Sequence, residues 1–346
     1  MLKRKNSLDR SILLCVRCKN GGIEFAGGRN RCLQCGAVYE ILEGVHDLRL
    51  DPDMDTALDL DTYDANHSVN ADHSKDIYAI YDRAFALRPS GRTGRVLEIG
   101  SGTGNLTIAL ARHGQFSEIH CSDISLRFMQ RLESKIGSET GNGLYRYLFD
   151  ANFFPFKAGS FDYVVGHSIL HHLLHFERTL ESAHRVLKNG GIAVFGEPMM
   201  ETNALIYLVA DQIIRVDEML PESKLSPITK TVLRRIATWG ELKTRNLNHR
   251  DEATAATEDK FILSAAYIRE IARDIGFSES SIMQYAPVVD LAAVIEQGLD
   301  LILSGTNAKR EEVHFFRPLM ESFSSSYQKS MDRFTSQQFA FCVLVK

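Results

Sequence analysis

An α/β fold is predicted: a Rossmann-like parallel sheet with helical lid insertions, preceded by a small metal-binding ribbon. Three features predict it. From residue 95 the apolar pattern alternates short β-type runs with helical spacing. A glycine-rich turn, Gly100-Ser101-Gly102-Thr103-Gly104, follows the first of those runs. Four cysteines, Cys15, Cys18, Cys32 and Cys35, fall in two C-x-x-C pairs near the start.

The 346 residues suit one large domain plus an appendage, and 44% apolar content supplies a sizeable core. The 40 Lys and Arg nearly balance the 44 Asp and Glu, giving a net charge of −4. A protein that grips a polyanion through bulk charge is usually basic, so nucleic acid is a disfavoured partner. No run of about 18 apolar residues occurs, so no membrane span is predicted. Met1–Lys5 is basic, but Ile12-Leu13-Leu14 is too short for the apolar centre of a signal peptide. The expected location is cytoplasmic, with reduced thiols.

The elements are expected in the following order. Residues 12–50 form the cysteine-rich unit. Residues 51–72, with Asp51, Asp53, Asp55, Asp59, Asp61 and Asp64, read as a solvated acidic linker; they lack the glycine and terminal glutamate of a calcium loop. A main domain fills 73–346. Ile77, Ile80, Tyr81, Ala84 and Phe85 mark a helix from about 74. Strands are expected at Arg95–Ile99, Glu118–Ser122, Tyr145–Phe149, Phe161–Val165 and Gly191–Gly196. Helices between them carry Leu106, Ala109 and Leu110, then Leu126, Met129, Leu132 and Ile136. Another helix, at about 176–187, is expected to stop at Asn189-Gly190-Gly191. This rhythm implies a parallel sheet with helices on both faces. Residues 199–260 and 290–333 are helical excursions longer than ordinary loops. A helix at 264–274, a strand at 282–289 and a last strand at 338–345 complete the reading.

The turn after the first strand belongs to Val96-Leu97-Glu98-Ile99-Gly100-Ser101-Gly102-Thr103-Gly104-Asn105. Glycines let the backbone turn sharply and approach a ligand closely. Asp123 ends the second strand, where a carboxylate can accept from ribose hydroxyls. A dinucleotide is the competing ligand. Against it, the spacing is G-x-G-x-G, and Glu98 would repel a pyrophosphate while suiting a cation.

Three further stretches follow in order: Phe149-Asp150-Ala151-Asn152-Phe153-Phe154-Pro155-Phe156, then Phe161 through Leu173 with His167, Ser168, His171 and His172, then Leu187-Lys188-Asn189-Gly190-Gly191. Together with the glycine turn they resemble the class I S-adenosylmethionine-dependent methyltransferase family over roughly residues 95–200. The resemblance implies a seven-stranded sheet with an antiparallel last strand. It also implies roles. Gly100 and Gly102 would pack on the methionine part of the cofactor, with Glu98 near its ammonium. Ser101 and Asn105 would complete the cofactor-binding turn. Asp123 would hold the ribose, with Ile124 beside the adenine. Asp150 would accept from the adenine amino group, Ala151 would donate from its backbone, and His167 and Ser168 would line the cofactor.

Cys15-x-x-Cys18 and Cys32-x-x-Cys35 can together complete a closed tetrahedral thiolate site, which is structural rather than catalytic. Zinc is the expected metal, with iron as the alternative. The segment resembles the zinc ribbons of small proteins that activate methyltransferases, although Val16 replaces the usual proline. It would stabilise the domain, support self-association into a homodimer, or contact substrate.

Methyl transfer from a sulfonium is mainly a matter of alignment. A general base is needed only for an acceptor that must lose a proton, and His171 or His172 is the candidate. No Asn/Asp-Pro-Pro-aromatic tetrad, Pro-Cys pair or C-x-x-x-C-x-x-C cluster occurs, so base methylation and radical chemistry are disfavoured. The expected acceptor is a small biosynthetic molecule held under the helical excursions. Leu205, Ile206, Leu208, Val209, Ile213 and Ile214 form either the core of that lid or an apolar acceptor wall. Lys224, Lys230, Arg234, Arg235, Lys243, Arg245 and Arg250 form either a solvated face or a handle for an anionic or carrier-bound acceptor. Two other functions stay open: an RNA methyltransferase gripping its substrate through the ribbon, and a non-catalytic regulator that binds the cofactor.

Overall fold

A computed structural model describes residues 10–56, 58–67, 71–88, 93–137, 143–246, 250–284, 290–328 and 338–346. Two compact units emerge. The first gathers the chain up to Gly196 with Glu270–Ser281 and Cys342–Lys346; the second gathers Glu197–Arg269 and Ile282–Phe341.

The first unit opens with a three-stranded antiparallel ribbon, β1 (Ile23–Ala26), β2 (Arg29–Cys32) and β3 (Val38–Tyr39). The hairpin β4 (Ile41–Leu42) and β5 (Val45–Asp47) follows, then helices α1 (Leu60–His67) and α2 (Ala71–Phe85). The alternating region comes next: β6 (Arg95–Ile99), α3 (Asn105–His113), β7 (Glu118–Asp123), α4 (Leu126–Ile136), β8 (Leu144–Leu148), β9 (Phe161–His167), α5 (Phe176–Val186) and β10 (Leu187–Pro198). The second unit is largely helical: α6 (Met200–Glu218), α7 (Pro227–Asn246), α8 (Glu252–Ala256), then α9 (Ala265–Ile275), which leads back to the first unit. The chain closes with β11 (Glu279–Gln284), α10 (Leu291–Ser304), α11 (Arg310–His314), α12 (Arg317–Gln328) and β12 (Phe339–Val345).

The central sheet has the order β11-β12-β10-β9-β6-β7-β8-β5-β4. Neighbours from β10 to β5 pair in parallel. Central strands covered on both faces read as unbroken apolar runs, and Ile192–Phe195 of β10 is such a run, buried throughout. Gly190 N–H donates to Lys346 O at one end of β10 and Met199 N–H to Gln338 O at the other, so β12 runs antiparallel, as expected. The expected count of seven strands is corrected to nine. The extra two, β4 and β5, come from the end of the ribbon segment, and β5 pairs with β8 through Val45↔Arg146 and Asp47↔Leu148. The 12–50 segment is thus joined to the main sheet by its own last strand.

Local signals explain most elements. The side chain of Ser125 caps α4 by accepting from Phe128 N–H, and Phe128, Met129, Leu132 and Ile136 are its buried face. Two expectations change. Asn189-Gly190-Gly191 does not end α5, which stops at Val186; it forms an irregularity inside β10, where pairing with β9 jumps from Leu187 to Ile192. Residues 51–72 are not simply a solvated linker, because α1 lies within them. The expected strand at 282–289 is β11 from Glu279 to Gln284, and residues 285–289 lie outside the described residues, as do 329–333 of the second excursion.

The second unit has its own core. Ile206, Val209 and Ile213 of α6 are fully buried against Leu233, Ile295, Leu299 and Met320. Leu208 alone of the six expected apolar positions is well exposed, at 45%. Of the basic run, Lys230 pairs with buried Asp217 at 2.7 Å, Arg234 with Glu218 at 3.1 Å, and Lys243 with Asp259 at 2.5 Å. These pairings favour a self-neutralised face over an anion handle.

Candidate functional site

The parallel strands β9, β6, β7 and β8 are neighbours, so their carboxyl ends line one edge of the sheet. Along it stand His167 and Ser168, the glycine turn, Asp123 with Ile124, and Asp150 with Ala151. Such an edge, at the reversal of strand order, is where ligands bind in open α/β sheets.

The turn is built by its glycines. Gly100, Gly102 and Gly104 have φ of 64°, 53° and 95°, a region that side chains with a Cβ disfavour. At Gly100 a Cβ would also lie 2.5 Å from Ile169 Cδ1. Ser101 ties the turn to β7: its N–H and its hydroxyl both donate to Ser122 O, at 2.9 and 3.2 Å. Gly102 N–H donates to one Asp123 carboxylate oxygen at 2.9 Å, and Ser125 N–H donates to the other at 3.0 Å. Asp123 therefore fixes the turn as well as facing its edge. Burial pushes its pKa up, although those N–H groups oppose the shift. Asn105 opens α3 directly after the turn.

Glu98, only 2% exposed, accepts from the Thr107 hydroxyl at 2.6 Å. Burial raises its pKa to about 8, with the nearby Asp123 carboxylate adding to the rise and Thr107 opposing it. A buried carboxyl of this kind would ionise beside a cationic ligand.

At the end of β8, Asp150 Oδ1 accepts from both the backbone and the side-chain nitrogen of Asn152, at 2.8 Å each. Ala151 O accepts from the Thr179 hydroxyl at 3.0 Å. His167 Nδ1 is 3.1 Å from the Tyr81 hydroxyl, which also donates to Gly166 O. Ser168 is held with φ of 55°, and its N–H donates to Gly196 O. Such a conformation in a non-glycine residue is a form of local strain concentrated at functional sites. His171 and His172 sit on a single 3-10 turn, Leu170–His172, with ring centroids 4.0 Å apart; His171 is buried and His172 half-buried.

Three residues that sequence reasoning missed also reach this edge. The Tyr63 hydroxyl lies 2.7 Å from where a Cβ on Gly102 would be. Asp64 accepts from the Thr103 hydroxyl at 2.9 Å and pairs with Arg131 and Lys135. Burial would raise the Asp64 pKa, but Lys135 and Thr103 outweigh it and hold it low. Both residues are on α1, so the acids expected to be solvated anchor a helix over the turn. Arg49 grips Asp47 with two nitrogens, at 2.7 and 2.9 Å, and donates to Met54 O and Ile124 O. The tyrosine among the acids at 59–64 was the sole signal for α1; nothing in the sequence marked Arg49.

The four cysteines converge. Their sulfur atoms all lie within 4.8 Å of one another, with Cys15–Cys35 at 3.6 Å and Cys18–Cys32 at 3.7 Å. Four thiolates about 2.3 Å from one tetrahedral ion stand roughly 3.8 Å apart, so the spacing fits a closed zinc site. Gly21 N–H donates to Cys18 Sγ and Cys35 N–H to Cys32 Sγ. A Cβ at Gly21 would meet Cys32 Sγ at 2.4 Å, so the sulfur cluster demands glycine there. The ribbon clasps the loop after β8: Leu14 N–H donates to Pro155 O, Lys157 N–H donates to Ile12 O, and Leu13 bridges Phe156.

Sheet order, turn and flanking carboxylates define the class I methyltransferase architecture, and residues 97–193 match the family described as a methyltransferase domain. Residues 97–193 thus carry a methyltransferase domain. Over 111 residues the chain is 32% identical to sarcosine/dimethylglycine N-methyltransferase of Aphanothece halophytica, covering 32% of this chain and 39% of that one. Over 106 residues it is 32% identical to malonyl-[acyl-carrier protein] O-methyltransferase of Geobacter sulfurreducens, covering 30% and 39%. Over 109 residues it is 37% identical to fusarielin synthase FSL1 of Gibberella zeae, covering 30% of this chain and 4% of the synthase. The matched region spans well under half of each of these relatives.

Proposed function

We propose that the protein transfers the methyl group of S-adenosylmethionine by direct displacement to a small-molecule acceptor, and that its four cysteines hold one structural zinc ion. The observation that carries the first part is the Gly100–Asn105 turn, pinned by Asp123 and backed by the buried carboxyl of Glu98. The cofactor supplies an activated methyl on a sulfonium. The protein's task is to bind, orient and exclude water. Gly100 and Gly102 give the backbone close approach, Glu98 answers the ammonium, Asp123 the ribose, and Asp150 the adenine amino group. His167 and Ser168 flank the same edge. His171 or His172 takes a proton where the acceptor is a hydroxyl. The names of two relatives, an N-methyltransferase of sarcosine and dimethylglycine and an O-methyltransferase of a malonyl carrier protein, support a small or carrier-bound acceptor. A four-thiolate metal site suits a reducing, cytoplasmic setting. The test is incubation with methyl-labelled cofactor and a small-metabolite extract, followed by identification of the labelled product. Cofactor binding without any labelled small molecule would count against this reading.

The position of Glu98 predicts a pH dependence. Its folded pKa of about 8 lies above the ordinary 4.5. The ligand-free protein is therefore stabilised most below pH 4.5, and this contribution is lost as pH rises towards 8. An ammonium beside the carboxyl would favour its ionised form, so cofactor binding at pH 7 should release a proton. Affinity should rise by up to about tenfold per pH unit on approaching pH 8, then level off. Calorimetry in buffers of different ionisation heat measures the release, and Glu98→Gln should abolish it.

A further inference from the structure

The first unit contains a cavity of about 660 Å³ that none of the glycine-turn residues lines. Its volume falls in the range of small-molecule sites, about 300–1,000 Å³. Its walls come from the metal ribbon (Val16, Lys19), the segment after β5 (Leu48 to Met54), the loop after β8 and α5. Of the candidate cofactor residues it shares only Asp150.

Four cations and two carboxylates line this cavity. Arg49 is already neutralised by Asp47. The other three, Lys19, Arg178 and Arg185, form no ion pair with a carboxylate among the described residues. Arg185 is fixed in place: its guanidinium donates to the carbonyls of Phe154 and Phe156 and lies 5.1 Å from the centre of the Phe153 ring. Burial pushes its pKa down, as for a desolvated charge without a counter-charge. Lys19 Nζ lies 5.1 Å from the centre of the same ring. Arg178 and Arg185 are seven residues apart on α5, two turns along one face and about 10 Å in rise. Of the two acids, Asp150 is engaged by Asn152, and Glu181 is exposed on α5. A concave wall with surplus positive charge concentrates anions. Leu48, Leu50, Met54 and Val16 add apolar surface beside it.

We propose that this cavity binds a phosphorylated ligand, its phosphate on Lys19, Arg178 and Arg185 and its apolar body against Leu48, Leu50 and Met54. The site adjoins the methyl-transfer edge, with Asp150 common to both, and is built jointly by the ribbon and the methyltransferase domain. Phosphate chemistry is favoured because the exposed Arg178 guanidinium, the exposed Lys19 ammonium and the N–H groups of Arg185 not taken by Phe154 and Phe156 present more donors than a single carboxylate can accept.

The experiment is calorimetry on the zinc-loaded full chain, with and without saturating S-adenosylhomocysteine, using two probes: inorganic pyrophosphate and coenzyme A. Submillimolar binding of either, unaffected by S-adenosylhomocysteine, supports the site. Equal affinity for both assigns it to the phosphate alone, and tighter binding of coenzyme A assigns it to a phosphate on an apolar arm. The double variant Lys19→Asn, Arg178→Gln should weaken binding at least tenfold while S-adenosylhomocysteine affinity stays unchanged. Asn tolerates the left-handed backbone at position 19, and both side chains are exposed, so folding is preserved. As a second variant, Leu50→Asp should weaken coenzyme A more than pyrophosphate if the arm is recognised. The proposal is overturned if neither probe binds, if S-adenosylhomocysteine displaces both, or if the double variant binds them as well as the parent does.

Discussion

Gly100→Val is expected to reduce affinity for S-adenosylmethionine and S-adenosylhomocysteine at least 100-fold. Two effects combine. The backbone there has φ of 64°, which a β-branched residue adopts only at a penalty of about 1–2 kcal/mol or more. The new Cβ would also sit 2.5 Å from Ile169 Cδ1, 2.6 Å from its Cγ1 and 3.1 Å from its Cβ, too close for a shift of the side-chain tip alone to relieve. Relief has to come from moving the turn, and the turn is tied to Ser122 and Asp123 on β7. The expected loss of stability is about 2–4 kcal/mol, from strain and overpacking together. Calorimetry with S-adenosylhomocysteine and a thermal melt separate the two losses. A folded variant that binds within threefold of the parent would show that the ligand does not sit on this turn.

The second large effect concerns the thiolates. Removing the metal with a strong chelator, or introducing Cys32→Ser, should release about one equivalent of zinc and destabilise the first unit by several kcal/mol. The damage should spread beyond the ribbon. Ile12 and Leu14 bracket the loop at Pro155–Lys157 from one side, while β5 pairs with β8 from the other. Arg49, just past β5, reaches the carbonyl of Ile124 on the candidate cofactor edge. Cofactor affinity should therefore fall on chelation and return on adding zinc. Metal analysis, together with hydrogen exchange over β8 and the loop that follows it, is the measurement. Exchange confined to residues 15–35 would show that the ribbon is a passive appendage.

The methyltransferase core was legible in the sequence because its signals are local. A parallel sheet writes its buried strands as apolar runs such as Ile192–Phe195, and the turn writes itself as glycines at fixed offsets. The C-x-x-C pairs likewise gave the thiolate cluster. What stayed hidden depends on contacts remote in sequence. β5 is three residues long, and only its partner at 146–148 joins it and its hairpin mate β4 to the main sheet. α1 carries little apolar periodicity; its place is set by Tyr63 on Gly102 and by Asp64 on Thr103, Arg131 and Lys135. Asn189-Gly190-Gly191 has the composition of a helix stop, yet Gly190 pairs with Lys346 across the sheet. In each case a distant partner outweighed the local preference.

The pairing of β5 with β8 also bears on how the chain is made. Val45–Asp47 leaves the ribosome about 100 residues before its partner Arg146–Leu148 exists. At about 5–20 residues per second, that is a wait of roughly 5–20 s. Throughout it, a metal-loaded ribbon would trail a strand with one open side, able to add to any passing sheet. Prompt zinc capture and a chaperone at that stage of synthesis should therefore raise the yield of soluble protein more than any treatment of the finished chain.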